Sequence, residues 1–133
     1  MAAEPILKTV TPYIVIRDAA KAIDFYKQAF GATELMRQER DGKIAHAEIK
    51  IGDSPIMIVD EFSNFAFMRS IQSLGGSPVH IFLSVDEADA VAARAVAAGA
   101  KTIMEMSDKK YGRTGGIEDP FGLIWWITTP PKG

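Results

Sequence analysis

The feature that most constrains the fold of this chain is an internal repeat. Residues 30–32 (Phe-Gly-Ala) correspond to residues 98–100 (Ala-Gly-Ala), and residues 56–59 correspond to residues 124–127, with an offset of 68 residues in both comparisons. In a chain of 133 residues, a repeat of this size outranks any single motif as evidence for the class of fold. It predicts two copies of one module.

The first module begins with a predicted strand and a predicted helix. Residues 11–17 are rich in β-branched side chains, which is typical of a strand. Asp18 is predicted to cap the helix, because its carboxylate can accept a backbone N–H of the first turn. Gly31 is predicted to end the helix, because glycine adopts positive φ without strain. The apolar face of the helix has the spacing i, i+3, i+4, i+7 and i+11 and consists of Ala19, Ala22, Ile23, Tyr26 and Phe30.

Three predicted strands complete the first module and give it the order β-α-β-β-β. Two of them form a hairpin around Asp41-Gly42, a dipeptide typical of tight turns between strands. A further turn at Gly52-Asp53 leads into the last strand. The predicted strands cover residues 35–40, 43–51 and 55–60.

The same order of elements returns in the second module. Asp86 is the predicted N-cap of its helix, and Gly99 is the predicted C-cap. The glycines at positions 112, 115 and 116 predict a loop before a short segment around Ile117. The predicted strands cover residues 79–85, 100–106 and 123–128. The chain is thus expected to form one domain over residues 1–133, with modules at about 9–60 and 78–129 and a linker at 61–77.

Composition excludes several classes of function. The net charge is −2 and the basic residues are scattered, which does not favour nucleic-acid binding. No apolar run reaches the roughly 18 residues of a membrane span. The chain has no cysteine, so disulfides and thiolate-ligated metal sites are excluded. No secretory signal is recognisable at the start of the sequence, so a cytoplasmic location is expected.

Five short motifs are distinctive: residues 11–13 (Thr-Pro-Tyr), 22–26 (Ala-Ile-Asp-Phe-Tyr), 30–32 (Phe-Gly-Ala), 73–76 (Ser-Leu-Gly-Gly) and 118–122 (Glu-Asp-Pro-Phe-Gly). Together they resemble the vicinal oxygen chelate superfamily, which includes glyoxalases, dioxygenases and bleomycin-resistance proteins, and within it the PhnB-like branch. The resemblance extends over residues 9–129 and implies an α+β fold of two tandem βαβββ modules, with curved mixed sheets forming cups and with helices outside. It also implies a homodimer.

The resemblance also implies four inward positions that hold a divalent metal in metal-dependent members, through His or Glu from the first and last strand of each module. In the second module the first position is His80, and in the first module it is Tyr13 or Thr11. The last-strand positions are Ile58 and Trp126. Because isoleucine and tryptophan cannot coordinate a metal, no cofactor is expected. A divalent metal in an atypical site is the alternative.

His46 and Glu48 are the remaining candidates for chemistry. They are two residues apart on a strand, so both side chains point to the same side. Facing the cup, they would form an acid/base pair; otherwise they belong to a solvated face with Lys50. Together with His80 they are also the donors for a conceivable two-His-one-carboxylate metal site. His80 itself is either a histidine with a structural hydrogen bond or a ligand-binding residue of the cup.

The adjacent tryptophans point to opposite faces of their strand. Trp125 is expected to pack under a helix, and Trp126 is expected to line the cup and to stack on a planar ligand. Alternatively, Trp126 fills the cup. In the linker, Phe65 and Phe67 form either an apolar lid over the ligand or part of a subunit interface.

These residues predict a protein that binds a small planar or aromatic molecule without the usual metal. Tyr13, His46, His80, Trp126, Phe65 and Phe67 are the predicted ligand-binding residues. The alternative is a metal-dependent lyase or isomerase of the glyoxalase type. A third possibility is a dimeric module that has no catalytic role and no ligand. Nucleic acids and membranes are not expected partners.

Overall fold

The computed structural model describes residues 8–132, and within them it contains three helices and eight strands. None of these helices is long and apolar enough to cross a membrane. The helices are α1 (Ala19–Phe30), α2 (Ile71–Leu74) and α3 (Ala88–Ala97). The strands are β1 (Tyr13–Val15), β2 (Thr33–Arg40), β3 (Lys43–Ile51), β4 (Ser54–Val59), β5 (Ile81–Ser84), β6 (Lys101–Lys109), β7 (Gly112–Glu118) and β8 (Ile124–Thr129).

The strands form two four-stranded mixed sheets, in the orders β1-β4-β3-β2 and β5-β8-β7-β6. In each sheet the first strand of the module pairs in parallel with the last one, and the other neighbours are antiparallel. This confirms the predicted α+β fold of two βαβββ modules. The sequence did not predict α2, because four residues are too few to show a helical period.

Each sheet packs its apolar face against a helix and leaves the other face, here called the open face, without a helix. Ile49 and Ile58 lie on the helix side of the first sheet and are fully buried with Ile23 of α1. Trp125 and Ile127 lie on the helix side of the second sheet. The two long helices also pack against each other. The apolar core is therefore continuous through both modules.

Asp119 organises the contact between the modules. Its carboxylate accepts hydrogen bonds from the Tyr26 hydroxyl at 2.6 Å and from the Trp125 indole N–H at 2.9 Å. It also accepts the backbone N–H groups of Phe121 and Leu123, which closes the turn before β8. Burial raises the pKa of Asp119 above its ordinary value, although the four hydrogen bonds act in the opposite direction. The Phe-Tyr and Asp-Pro-Phe-Gly motifs thus meet in one buried polar network.

Asp18 is the N-cap residue of α1, as predicted, but its carboxylate does not make the predicted hydrogen bond, and the N-cap of α3 is Glu87 rather than Asp86. Asp18 has a left-handed backbone with φ 66°, and its side chain makes no capping hydrogen bond. The Ala19 N–H instead donates to the carboxylate of Asp60, at the end of β4. In the second module the Ala88 N–H donates to the Thr129 hydroxyl at 2.8 Å. The first N–H groups of α1 and α3 are therefore bound at the end of the last strand of the same module, a tertiary contact that the local sequence does not show.

The predicted glycine-rich loop is also wrong, because residues 112–118 form strand β7. Glycine in a strand marks a close approach of another group to the backbone. A Cβ on Gly116 would lie 2.7 Å from the ring of Trp126, and one on Gly115 would meet the Met106 sulfur. The glycines are thus explained by packing rather than by a turn.

The alignment of residues 56–59 with 124–127 is wrong by one residue. The Ile16 N–H donates to Val59 O, and the Val85 N–H makes the equivalent bond to Thr128 O, so these strands are related by an offset of 69. The extra residue lies in the turn before β8. Ile51 pairs with Ser54 across a two-residue turn, whereas the Asp119 N–H reaches the carbonyl of Leu123 across three residues.

Candidate functional site

The offset of 69 residues changes which side chains of the first sheet correspond to those of the second sheet. Ile58 corresponds to Ile127, and both are buried under the helices. The counterpart of Trp126 is Met57, on the open face. In the first strands, His80 corresponds to Thr11 and Phe82 corresponds to Tyr13. The prediction that Ile58 lines the cup is therefore wrong.

A polar group of side chains lies on the open face of the first sheet; we call it the first-sheet cluster. It contains Tyr13, His46, Glu48 and Met57. His46 Nε2 lies 3.2 Å from a carboxylate oxygen of Glu48. The Tyr13 ring stacks on the imidazole, with ring centroids 6.1 Å apart. Met57 pairs in register with both Tyr13 and Glu48, so the four side chains are neighbours.

This cluster can bind a polar group or transfer a proton. The side chains of His46 and Glu48 retain 25% and 14% of their exposure, so they are shielded but still reachable from solvent. An imidazole next to a carboxylate can accept a proton from a bound group or donate one to it. The strand alternation that predicted a shared side for these two residues agrees with this geometry.

An aromatic group lies on the open face of the second sheet; we call it the second-sheet cluster. It contains His80, Phe82, Gly116 and Trp126. The Trp126 indole N–H donates to Nδ1 of His80 at 3.0 Å. Phe82 is the cross-strand neighbour of Trp126 and is 58% exposed. Because Gly116 has no side chain, the indole lies directly against the strand backbone.

Sequence reasoning missed two members of the second-sheet cluster. Phe82 alternates with His80 at i, i+2, so the strand period was a usable signal for it. Gly116 lies opposite Trp126 only in the hairpin register of β7 and β8. That register depends on the length of the turn, which the repeat alone did not determine.

The predicted ligand-binding residues on the strands are divided between two sheets. Within residues 8–132, no hydrogen bond or aromatic contact connects the first-sheet cluster to the second-sheet cluster. A cleft of about 570 Å³ lies between the edge of β5 and the turn that connects β3 and β4, and its lining includes Phe82. A second cleft of about 300 Å³ runs along the edge of β1 and exposes Tyr13. Both clefts follow the edge strand of a sheet.

Phe65 and Phe67 lie on a loop between β4 and α2. Their rings are 5.8 Å apart, and they are 42% and 80% exposed. The base of the loop is closed by the Ser70 N–H, which donates to the Glu61 carboxylate at 2.6 Å. This backbone hydrogen bond is the main reason why the pKa of Glu61 is lowered to about 2. The loop therefore presents two aromatic side chains outward on a closed base.

The sequence matches the family model of the Glyoxalase/Bleomycin resistance protein/Dioxygenase superfamily over residues 6–127. The chain belongs to this superfamily. It is 41% identical to the uncharacterized protein Mb0911c of Mycobacterium bovis over 127 residues, covering 92% of this chain and 84% of that protein.

Two solved structures resemble the fold over nearly its whole length. The At5g48480 gene product of Arabidopsis thaliana is 27% identical and has a TM-score of 0.76, covering 92% of this chain and 98% of the other. TnmS3, an antibiotic-binding protein from Streptomyces, has a TM-score of 0.66 and covers 94% and 100% of the two chains. Its identity is 23%, so this likeness shows the fold alone.

The side chains at the superfamily's metal positions do not suit a divalent metal. The register places Thr11, Met57, His80 and Trp126 at these positions, and imidazole is the one strong ligand among them. Among residues 8–132, no group of three or more His, Cys, Asp or Glu side chains could hold a metal ion. His46 and Glu48 adjoin each other, but His80 belongs to the other sheet. The conceivable two-His-one-carboxylate site is therefore not assembled.

Proposed function

We propose that this glyoxalase-superfamily protein binds a small planar, largely apolar molecule on the second-sheet cluster, without a metal. The observation that carries the proposal is the seating of Trp126. Its indole rests on Gly116 and is fixed at its N–H by His80. An exposed Phe82 ring extends the aromatic surface beside it.

The composition of this surface suits such a ligand. Sites for small molecules are mostly apolar and contain a few placed polar groups. Stacking on an aromatic ring contributes about 0.5–1.5 kcal/mol beyond the burial of area. TnmS3, which has the same fold, is described as an antibiotic-binding protein, so the fold is compatible with a small-molecule site.

We further propose that the first-sheet cluster supplies polar contacts to the same ligand from a second copy of the chain. In one chain the two clusters lie on separate sheets, so a homodimer would bring Tyr13 and His46 of one copy to Trp126 of the other. Several large apolar side chains are exposed, which is typical of an interaction surface. They include Val10, Tyr13, Phe67, Val79 and Phe82.

The test of the proposed function compares the two adjacent tryptophans, with 9-fluorenone and acridine as planar probes. Trp126→Ala is expected to fold normally and to weaken probe binding about tenfold or more, a loss of at least about 1.4 kcal/mol. Trp125→Ala is the matched control and is expected to lose about 3–5 kcal/mol of unfolding free energy, because it removes a buried ring. Binding is measured by calorimetric titration and stability by denaturant unfolding.

Trp126→Ala is expected to change probe binding, whereas Trp125→Ala is expected to change stability. Trp126→Ala protein that binds both probes with unchanged affinity would contradict the proposed site. If neither 9-fluorenone nor acridine changes the melting temperature of the wild type or of Trp126→Ala, the second-sheet cluster is not a binding surface.

A further inference from the structure

The hydrogen bond between Trp126 and His80 determines which imidazole nitrogen carries a proton. An indole N–H is a donor only, so Nδ1 of His80 must accept, at 3.0 Å. A neutral imidazole has one acceptor nitrogen and one donor nitrogen. A hydrogen bond received by one nitrogen therefore requires the proton to be on the other. The imidazole of His80 is therefore held with its proton on Nε2.

The Nε2–H group of His80 is directed away from the indole and remains available to a ligand. His80 is exposed, and within residues 8–132 its imidazole makes a hydrogen bond to Trp126 alone. The imidazole and indole ring centroids are 6.0 Å apart, so the imidazole borders the indole surface. A flat molecule stacked on Trp126 would thus have one edge beside a neutral hydrogen-bond donor.

We propose that His80 selects planar ligands that carry a hydrogen-bond acceptor, such as a ring carbonyl, at the edge facing Nε2. This inference rests on the proposed function of the second-sheet cluster. Trp126 then has two roles: its ring is the stacking surface, and its N–H is a positioning group that orients the donor of His80. Planar hydrocarbons would gain the stacking contact alone.

The experiment compares two probes that differ by one carbonyl group, 9-fluorenone and fluorene, with the full chain. Wild-type protein is expected to bind 9-fluorenone about tenfold more tightly, as a hydrogen bond to a placed donor permits. His80→Leu is expected to bind both probes equally. His80→Gln retains an N–H donor and is expected to restore part of the preference.

Trp126→Phe separates the two roles of Trp126. It keeps an aromatic ring but removes the N–H, so fluorene binding is expected to change little, whereas the preference for 9-fluorenone falls. Long-range ¹H–¹⁵N correlation spectra of the histidine rings should show His80 with its proton on Nε2 in the wild type. A mixture of tautomers is expected in Trp126→Phe.

The outcomes distinguish this inference from the proposed function. Equal binding of both probes by the wild type, or a His80 proton on Nδ1, would overturn the selection by His80 and leave the stacking surface intact. Failure of both probes to bind would overturn both proposals. A preference that survives in His80→Leu would assign the selection to another residue and contradict the role of His80.

Discussion

At the scale of single residues, Asp119 shows how one buried carboxylate connects distant parts of the chain. It is 3% exposed and accepts hydrogen bonds from Tyr26 on α1 and Trp125 on β8. The same burial raises the pKa of Tyr26 well above its ordinary value, with Asp119 adding to the effect. The Tyr26 hydroxyl therefore stays protonated and remains a donor to Asp119.

Asp119 is expected to make the stability of the protein depend on pH in the acid range. Because its pKa is raised in the folded state, its contribution to the unfolding free energy is fully present below the ordinary value of 3.8 and declines as pH rises through the folded pKa. Denaturant unfolding of wild type and Asp119→Asn at a series of pH values measures this. The difference in unfolding free energy between wild type and Asp119→Asn should shrink as pH rises above 3.8. A difference that grows with pH would contradict the raised pKa of Asp119.

At the scale of elements, β7 shows how a strand can be shaped for the side chains of its neighbour. The indole of Trp126 occupies the space above Gly116, and Ile103 borders the same position at 3.2 Å from a Cβ there. The ring can occupy this space because the strand has no side chain at this position. The second-sheet cluster thus depends on a residue that has no chemistry of its own.

Gly116→Ala is expected to displace the Trp126 ring, because the new Cβ would lie 2.7 Å from a ring atom. Overpacking of this kind costs about 1–3 kcal/mol of unfolding free energy. The control is the same substitution in a Trp126→Ala background, where the cost should be smaller because the clashing ring is absent. Equal costs in both backgrounds, measured by denaturant unfolding, would show that the ring does not rest on Gly116.

At the scale of the whole molecule, the two clusters and the exposed aromatic side chains lead to one expectation about assembly. The chain is expected to be a homodimer at micromolar concentration, with a mass twice the 14.5 kDa of one chain by light scattering. Phe67, which is 80% exposed, is expected to lie in the interface, so Phe67→Asp should shift the equilibrium toward the monomer. Tyr111→Asp is a matched control at the tip of the hairpin between β6 and β7, where Tyr111 is 56% exposed. A single-chain mass at all concentrations would contradict the dimer.

The sequence by itself determined the elements whose signals are local. The apolar period of α1 and its end at Gly31, where φ is 68°, were both correct. The Asp41-Gly42 turn has positive φ at both residues, 53° and 76°, as its sequence predicts. The repeat, together with the resemblance, gave the correct order of strands and helices. The helix and the turn each depend on residues within a few positions of one another.

The tertiary structure alone decided which side chains bind the first N–H groups of α1 and α3, the register of the strands and the grouping of the site residues. Asp60 caps α1 because the end of β4 lies at the start of that helix. The residues around Asp18 contain no sequence signal for this contact. One extra residue in the turn before β8 shifts the correspondence between β4 and β8, so the counterpart of Trp126 is Met57 on the open face and not Ile58 on the helix side. Side chains alternate along a strand, so a shift of one residue exchanges the two faces of a sheet. The length of a turn and the partner across it therefore determine which residues share a site.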